Sequence, residues 1–310
     1  MSTPEYTYTT VNGVEVLTRE EWFLNGELHR IDGPALRVWE VVDGRAVLIN
    51  ETWYLNGQLH RIDEPAVREW QVADGHGHGH EEAFLIGEVW YLNGQEHRID
   101  GPAWLNWVIV DGVAVLTFEG WLLNGQEHRI DGPALRYWEV VDGRAVLTRE
   151  EWYLNGQEHR TDGPSYREWQ VVEGQTVLTH EYWHLNGKLH RTDGPALREW
   201  LRSEIDGQLV LIDGQVVLYD EEWYLNGQLH RIDGPAARRW EVIDGLVVLT
   251  LERWFLNGIE IHPRILRQPV RAIERWWQFQ QRQRQEAIEE SLWDSGMTVF
   301  PGFMGLLKQF

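Results

Sequence analysis

Trp22-Phe23-Leu24-Asn25-Gly26-Glu27-Leu28-His29-Arg30-Ile31-Asp32-Gly33-Pro34-Ala35 is the stretch that decides the fold, because the chain keeps returning to it. Close copies start at Trp53, Trp90, Trp121, Trp152, Trp183 and Trp223, and a degraded one at Trp254, with spacings of 31, 37, 31, 31, 31, 40 and 31 residues. A fixed period of this length marks a tandem array in which each unit buries its apolar face against the next. Asn25-Gly26, flanked by apolar residues, favours a two-residue hairpin turn in which both central residues take φ > 0. That turn sets Leu24 opposite Glu27, Phe23 opposite Leu28, Trp22 opposite His29 and Glu21 opposite Arg30. The same count predicts ion pairs Glu151–Arg160 and Glu222–Arg231, each worth roughly 0.2–1 kcal/mol.

A second hairpin signal, Asp43-Gly44, follows a second tryptophan and sets Val42 opposite Arg45 and Trp39 opposite Leu48. Leu48 and Trp53 are five residues apart. An unbroken strand therefore puts Trp39 and Trp53 on opposite faces, whereas a bulge reunites them, and both readings stay open. The six extra residues around His76-Gly77-His78-Gly79-His80 and the nine between Trp200 and Tyr219 both fall at this Asp-Gly position, which places it at a free edge.

The ends depart from the unit. Tyr8 to Leu17 matches Trp39 to Leu48, so residues 1–21 read as an N-terminal capping half-repeat. Residues 22–262 form the array. In the last copy, Ile259-Glu260-Ile261-His262 shifts the histidine by one and Pro263 replaces the arginine. Residues 263–310 change character: Pro269 suits a helix start and Gly296 a stop. An α-helix followed by an apolar tail is predicted there, with Trp276, Trp277, Trp293, Phe300, Phe303 and Phe310 as partner-docking residues or as a cap on the array's own end.

The tryptophan–Asn-Gly–histidine phrase, followed by a Gly-containing turn and a second aromatic before Asp-Gly, resembles MORN-type repeats, closest to the bacterial and viral variants of the YwqK antitoxin-like kind. The resemblance covers Tyr8 to about His262. It implies an elongated, mostly single-layered antiparallel sheet of stacked β-hairpins serving as a scaffold or interaction surface. The unit here is longer than the usual MORN repeat, and His-Arg-x-Asp-Gly-Pro replaces a simpler His-Gly-x-Gly.

Composition narrows the partner. The net charge is -21, with seven basic and five acidic residues from Pro263 onward and 21 and 44 before it. Such a surface argues against nucleic acid and against an anionic membrane, both of which select basic surfaces. It also sets the chain apart from the lipid binding sometimes attributed to MORN proteins. The chain has no cysteine, so disulfides and thiolate metal sites are excluded. No basic-then-apolar leader occupies Met1 to Thr10, so the cytoplasm, or the interior of a viral particle or other assembly, is the expected location.

The group His29, Arg30 and Asp32 beside Trp22 looks like chemistry when read once, as does His159, Arg160 and Asp162 beside Trp152. Catalysis needs one site with differentiated roles. Seven near-identical copies indicate a packing solution: histidine on the cross-strand tryptophan, arginine with glutamate, aspartate capping the turn before proline. Glu-Glu pairs such as Glu150-Glu151 point to opposite faces of a strand and cannot act together. No phosphate loop, dinucleotide fingerprint or Ser/His/Asp order is evident, so neither a cofactor nor an enzymatic activity is expected. The metal candidate is the loop of His76, His78 and His80, whose imidazoles suit zinc, copper or nickel. Fifteen of the 19 tryptophans occupy the two repeat positions and are expected to stack in ladders.

The leading expectation is a non-catalytic scaffold for protein–protein contact. It would be a component of a larger assembly, of viral or phage derivation, with a protein partner or self-assembly through the tail. The alternatives are an immunity or antitoxin-like protein that binds a basic effector, and a metal- or ligand-binding module using the histidine loop.

Overall fold

A computed structural model describes residues 2–74, 81–172, 174–200, 211–212, 215–262 and 282. The described residues up to 262 are all-β, one antiparallel 18-stranded sheet of stacked hairpins with a row of short two-stranded hairpins beside it. Apart from Arg282, the helix and tail expected within 263–310, and the loop His76–His80, lie outside the described residues.

One unit shows how the sequence builds this. Strands Leu36–Val42 and Arg45–Thr52 form a long hairpin around Asp43-Gly44, and Tyr54–Leu55 with Gln58–Leu59 form a short one around Asn56-Gly57. Asp43 and Gly44 have φ of 49° and 75°, and Asn25 and Gly26 of 53° and 83°. These are the left-handed values that a type I′ turn requires. The pairings read from the turns are present as far as His29: Leu24–Glu27, Phe23–Leu28, Val42–Arg45 and Trp39–Leu48, with the His29 N–H donating to the Trp22 carbonyl at 2.8 Å.

The bulge is real and recurs in each long hairpin. Val38 faces Asn50 while Trp39 faces Leu48, which leaves Ile49 unpaired. In five hairpins the extra residue is a threonine whose hydroxyl donates across the strand pair. Thr179 Oγ1 reaches the Glu168 carbonyl at 3.0 Å, and Thr18, Thr117, Thr148 and Thr250 do the same at 3.2–3.4 Å. The added residue restores parity, so both tryptophan rows share one face. Trp22 Nε1 donates to Glu20 at 2.9 Å, Glu20 pairs with Arg37, and Arg37 lies two residues from Trp39 on the same strand.

Successive long hairpins join through three residue pairs, as in Asn50–Glu69, Glu51–Arg68 and Thr52–Val67. The middle pair makes a row of alternating carboxylates and guanidiniums across the sheet. Arg37 lies between Glu20 (3.1 Å) and Glu51 (3.9 Å), Arg68 between Glu51 (3.7 Å) and Glu88 (3.0 Å), and Arg238 between Glu221 (3.3 Å) and Glu252 (3.2 Å). Leu105 interrupts the row, standing between Glu88 and Glu119. Short hairpins stack too: the Gly57 N–H donates to the Leu28 carbonyl at 2.9 Å and the Arg30 N–H to the Tyr54 carbonyl at 3.1 Å.

The array has no thick core. Its tightest positions are the residues after each proline, Ala35, Ala66, Ala103, Ala134, Ala196, Ala236 and Ser165, all 0% exposed where the chain re-enters the main sheet. Only a small side chain fits between the Trp N–H, which donates to this residue's carbonyl at 2.7–2.8 Å, and the adjoining strand. Stability is therefore spread along the joints rather than concentrated in one interior.

Candidate functional site

Beyond each short hairpin the chain runs through His-Arg-x-Asp-Gly-Pro, and there the side chains sort differently from the sequence expectation. The arginine, not the histidine, covers the tryptophan. Arg Cζ lies 3.7–4.1 Å from the ring centroid in all seven full repeats, from Arg30 over Trp22 to Arg231 over Trp223. Arg160 over Trp152 is typical: Nε donates to Asp162 at 2.8 Å and one terminal nitrogen to the Pro164 carbonyl at 3.3 Å.

The expected pairs Glu21–Arg30, Glu151–Arg160 and Glu222–Arg231 do not form. Past His29 the backbone leaves the strand pairing, and Arg30 folds back over Trp22 onto the face of Glu20, 3.7 Å away. Glu21 points to the other face and pairs with Arg19 at 2.8 Å; Glu151 does likewise with Arg149 at 3.0 Å, and Glu222 accepts from the Tyr224 hydroxyl at 2.7 Å. The aspartates serve the arginines, and the Arg30 guanidinium beside Asp32 holds its carboxyl below the usual range. A stacked, three-way-bonded guanidinium is worth more than a surface ion pair: about 0.5–2 kcal/mol for the ring contact alone.

Each histidine reaches into the next repeat. The Asn56 N–H donates to His29 Nδ1 at 3.1 Å, and the same bond runs from Asn93 to His60, Asn124 to His97, Asn155 to His128, Asn186 to His159, Asn226 to His190 and Asn257 to His230 at 3.1–3.3 Å. Packing on the cross-strand tryptophan was the expectation; pinning the neighbouring Asn-Gly turn is what the ring does. All three members of the motif are thus engaged in six of the seven copies; in the second, Arg61 pairs with Glu64 in place of Asp63.

The opposite face is where repetition fails. Two departures from the consensus, Ser165 for alanine and His184 for tyrosine, meet there. The His184 N–H donates to Ser165 Oγ at 3.1 Å, Oγ lies 2.8 Å from His184 Nδ1, and His184 Nε2 lies 3.2 Å from Glu158 Oε2. Burial pushes the His184 imidazole down to about 4, while burial and the neighbouring Glu151 carboxylate push Glu158 up. A neutral ring protonated on Nε2 fits every contact: it accepts from the serine hydroxyl and donates to the carboxylate. The trio has the residue types of a hydrolytic triad, but Ser165 is 0% exposed and no substrate carbonyl can approach it. It is a buried hydrogen-bond chain. Comparing each repeat with its fellows would have found it; a search for triad order along the chain did not.

Around the trio the face is aromatic and acidic. Tyr166 and Tyr182 stack with centroids 5.1 Å apart, their hydroxyls donating to Glu168 at 3.0 Å and Glu199 at 2.6 Å. Burial raises the carboxyls of Glu151, Glu222 and Asp220 and the hydroxyls of Tyr153, Tyr166, Tyr182 and Tyr224. Among the described residues no group of three or more His, Asp or Glu side chains is placed to hold a metal ion.

The least satisfied surface is the row of loop tips. Ile31, Ile62, Ile99, Ile130 and Ile232 are 85, 67, 82, 87 and 61% exposed, and the two intervening loops carry Thr161 and Thr192 instead. Beside each isoleucine or threonine stands an aspartate, and Asp32, Asp100, Asp131, Asp162, Asp193 and Asp233 are 75–84% exposed. Between adjacent tips run clefts, one of about 610 Å³ bounded by Ile130, Asp131, Arg136, Glu150 and Asp162, another of about 540 Å³ bounded by Asp193, Arg198, Ile232 and Asp233. No family model matches the chain, and neither the curated proteins nor the solved structures contain a match.

Proposed function

We propose that the chain is a repeat scaffold that binds a protein partner along its row of loop tips, as a component of a larger assembly. The observation that carries this is the row itself. Five of the seven loop tips carry an isoleucine that is 61–87% exposed, while the arginines and histidines of the same loops are engaged internally. Single exposed apolar residues are ordinary, but an aligned series of them beside clefts is the pattern of an interaction surface. The resemblance to MORN-type repeats agrees with a scaffold role and belongs to this proposal.

The exposed aspartates favour a partner that carries basic residues between apolar ones. A basic effector bound by an immunity-type protein is one partner of that chemistry. The test is affinity capture from the source with the full chain and with Ile31, Ile62, Ile99 and Ile130 all changed to serine. Because these side chains are exposed, the circular dichroism spectrum stays unchanged, and the proposal expects the captured partner to be lost. A partner retained in full by the serine variant would refute the loop-tip surface, and one retained only by chains that keep 263–310 would assign docking to the tail.

A further inference from the structure

We infer that copies of this chain associate head to tail, the last long strand of one copy pairing with the first strand of the next. This surface is separate from the loop tips and does not depend on them.

Both outer strands of the main sheet are paired on one side only among the described residues. At one end Thr3–Val11 is exposed from Thr3 to Thr10; at the other Leu246–Leu256 is exposed from Leu246 to Arg253. The second edge is strongly apolar, with Leu246, Val247, Val248, Leu249 and Leu251 between 36 and 68% exposed. The contrast with interior copies is direct: Thr148 and Thr179 are 8% and 0% exposed, whereas Thr250, at the same bulge, is open. Terminal repeats ordinarily present a polar outer face, and long apolar edge strands are ordinarily blunted by charge or covered. Here the end of the array keeps the surface of an interior repeat.

The two edges are also complementary in kind. Every interior joint pairs the second strand of one long hairpin with the first strand of the next, in one register. Leu251, Glu252 and Arg253 hold the places of Asn50, Glu51 and Thr52, and Thr7, Tyr6 and Glu5 hold those of Val38, Arg37 and Leu36. Continuing the register of the Asn50–Glu69 joint across two copies sets Leu251 opposite Thr7, Glu252 opposite Tyr6 and Arg253 opposite Glu5 of the second copy. The outermost pair brings Glu5 to Arg253, whose guanidinium Glu260 of its own chain already holds at 2.8 and 2.9 Å, so that the two carboxylates share it. The Trp254 N–H meets the Pro4 carbonyl of the second copy, where interior repeats bond Trp N–H to an alanine carbonyl. Because the two surfaces differ, the contact is heterologous, and repetition without closure gives an open row of copies.

Sedimentation velocity on the full chain over a dilution series tests this, with circular dichroism to verify folding of each variant. The expected result is mass above the monomer that grows with concentration. Leu249→Lys with Leu251→Lys should weaken association about tenfold or more, as lysines do on protected edges. Glu5→Arg, which opposes Arg253, should weaken it roughly fivefold, and adding Arg253→Glu should restore it. A monomer at every concentration would overturn the proposal, as would association that ignores both the Leu251 and the Glu5 changes. Slow amide exchange of residues 246–253 in a monomer would also overturn it, by showing that residues 263–310 of the same chain cover this edge.

Discussion

His97 Nδ1 lies 3.2 Å from the Asn124 backbone nitrogen and 2.9 Å from the Asn124 side-chain oxygen, one repeat further along the chain. The contact adds to the two backbone bonds, Gly125 N–H to the Glu96 carbonyl and Arg98 N–H to the Leu122 carbonyl, that join these Asn-Gly hairpins. His97→Ala leaves the Asn124 N–H to water, and the position is open enough for water to enter. The expected loss is about 0.5–1.5 kcal/mol, read as a lower urea midpoint and as faster amide exchange at Asn124 than at Asn155.

The guanidinium of Arg129 fills three roles that an ammonium cannot combine. It stacks 4.0 Å from the Trp121 ring, bonds Asp131 at 2.9 Å and reaches the Pro133 carbonyl at 3.3 Å. Arg129→Lys should therefore cost nearly as much as Arg129→Ala, about 1–2 kcal/mol. Urea unfolding of the two variants decides it; a lysine variant as stable as the parent would show that charge alone matters.

Gly163 tests how tightly that arrangement is set. A Cβ there would lie 2.7 Å from Arg160 Cζ and 2.9 Å from its Nε, so alanine must shift the guanidinium away from its bond to Asp162. The second repeat already carries a Cβ at this place: Glu64 stands where the others have glycine, and Arg61 stays 3.7 Å from the Trp53 ring but pairs with Glu64 instead of Asp63. Gly163→Ala should lower stability by about 1 kcal/mol, read as a lower urea midpoint, whereas Glu64→Gly should bring Arg61 onto Asp63, visible as a new ion pair in a crystal structure of the variant.

His184 gives a pH dependence whose sign is fixed. Its folded value lies at about 4, below the ordinary 6.5, so the folded form binds the proton less readily than the unfolded chain. Its contribution is complete above 6.5 and is lost as pH falls toward 4. Glu158 works oppositely: its raised value lends stability below the ordinary carboxylate range that fades as pH rises through the folded value. His184→Tyr, the consensus residue, should flatten the fall of the urea midpoint between pH 6.5 and 4. An unchanged slope would remove His184 as its source.

The hairpins and their register were legible because type I′ turns are local: two residues fix every pair that follows. The bulge was legible as one of two options, and the threonine at the extra position makes sense only once Thr148 or Thr179 is seen donating across the strands. Arg30 was misassigned because strand counting assumes that pairing continues past His29, whereas the loop to Pro34 turns the side chain back. The histidine contacts were invisible because each spans a repeat boundary, 27 residues on in the regular case of His97 and Asn124. Exposure of the isoleucines could not be read from composition, since an apolar residue between arginine and aspartate looks buried on paper.

Each joint in the array is made by the same bonds between the same positions, and that gives the gene a freedom most folds lack. Duplicating 31 residues inserts two strands and recreates the joint it interrupts, lengthening the sheet by about 9.6 Å and leaving both ends untouched. Deleting them shortens it by as much. Span is then a quantity that recombination can set in equal steps, and the protein can serve as a ruler whose graduations are its repeats.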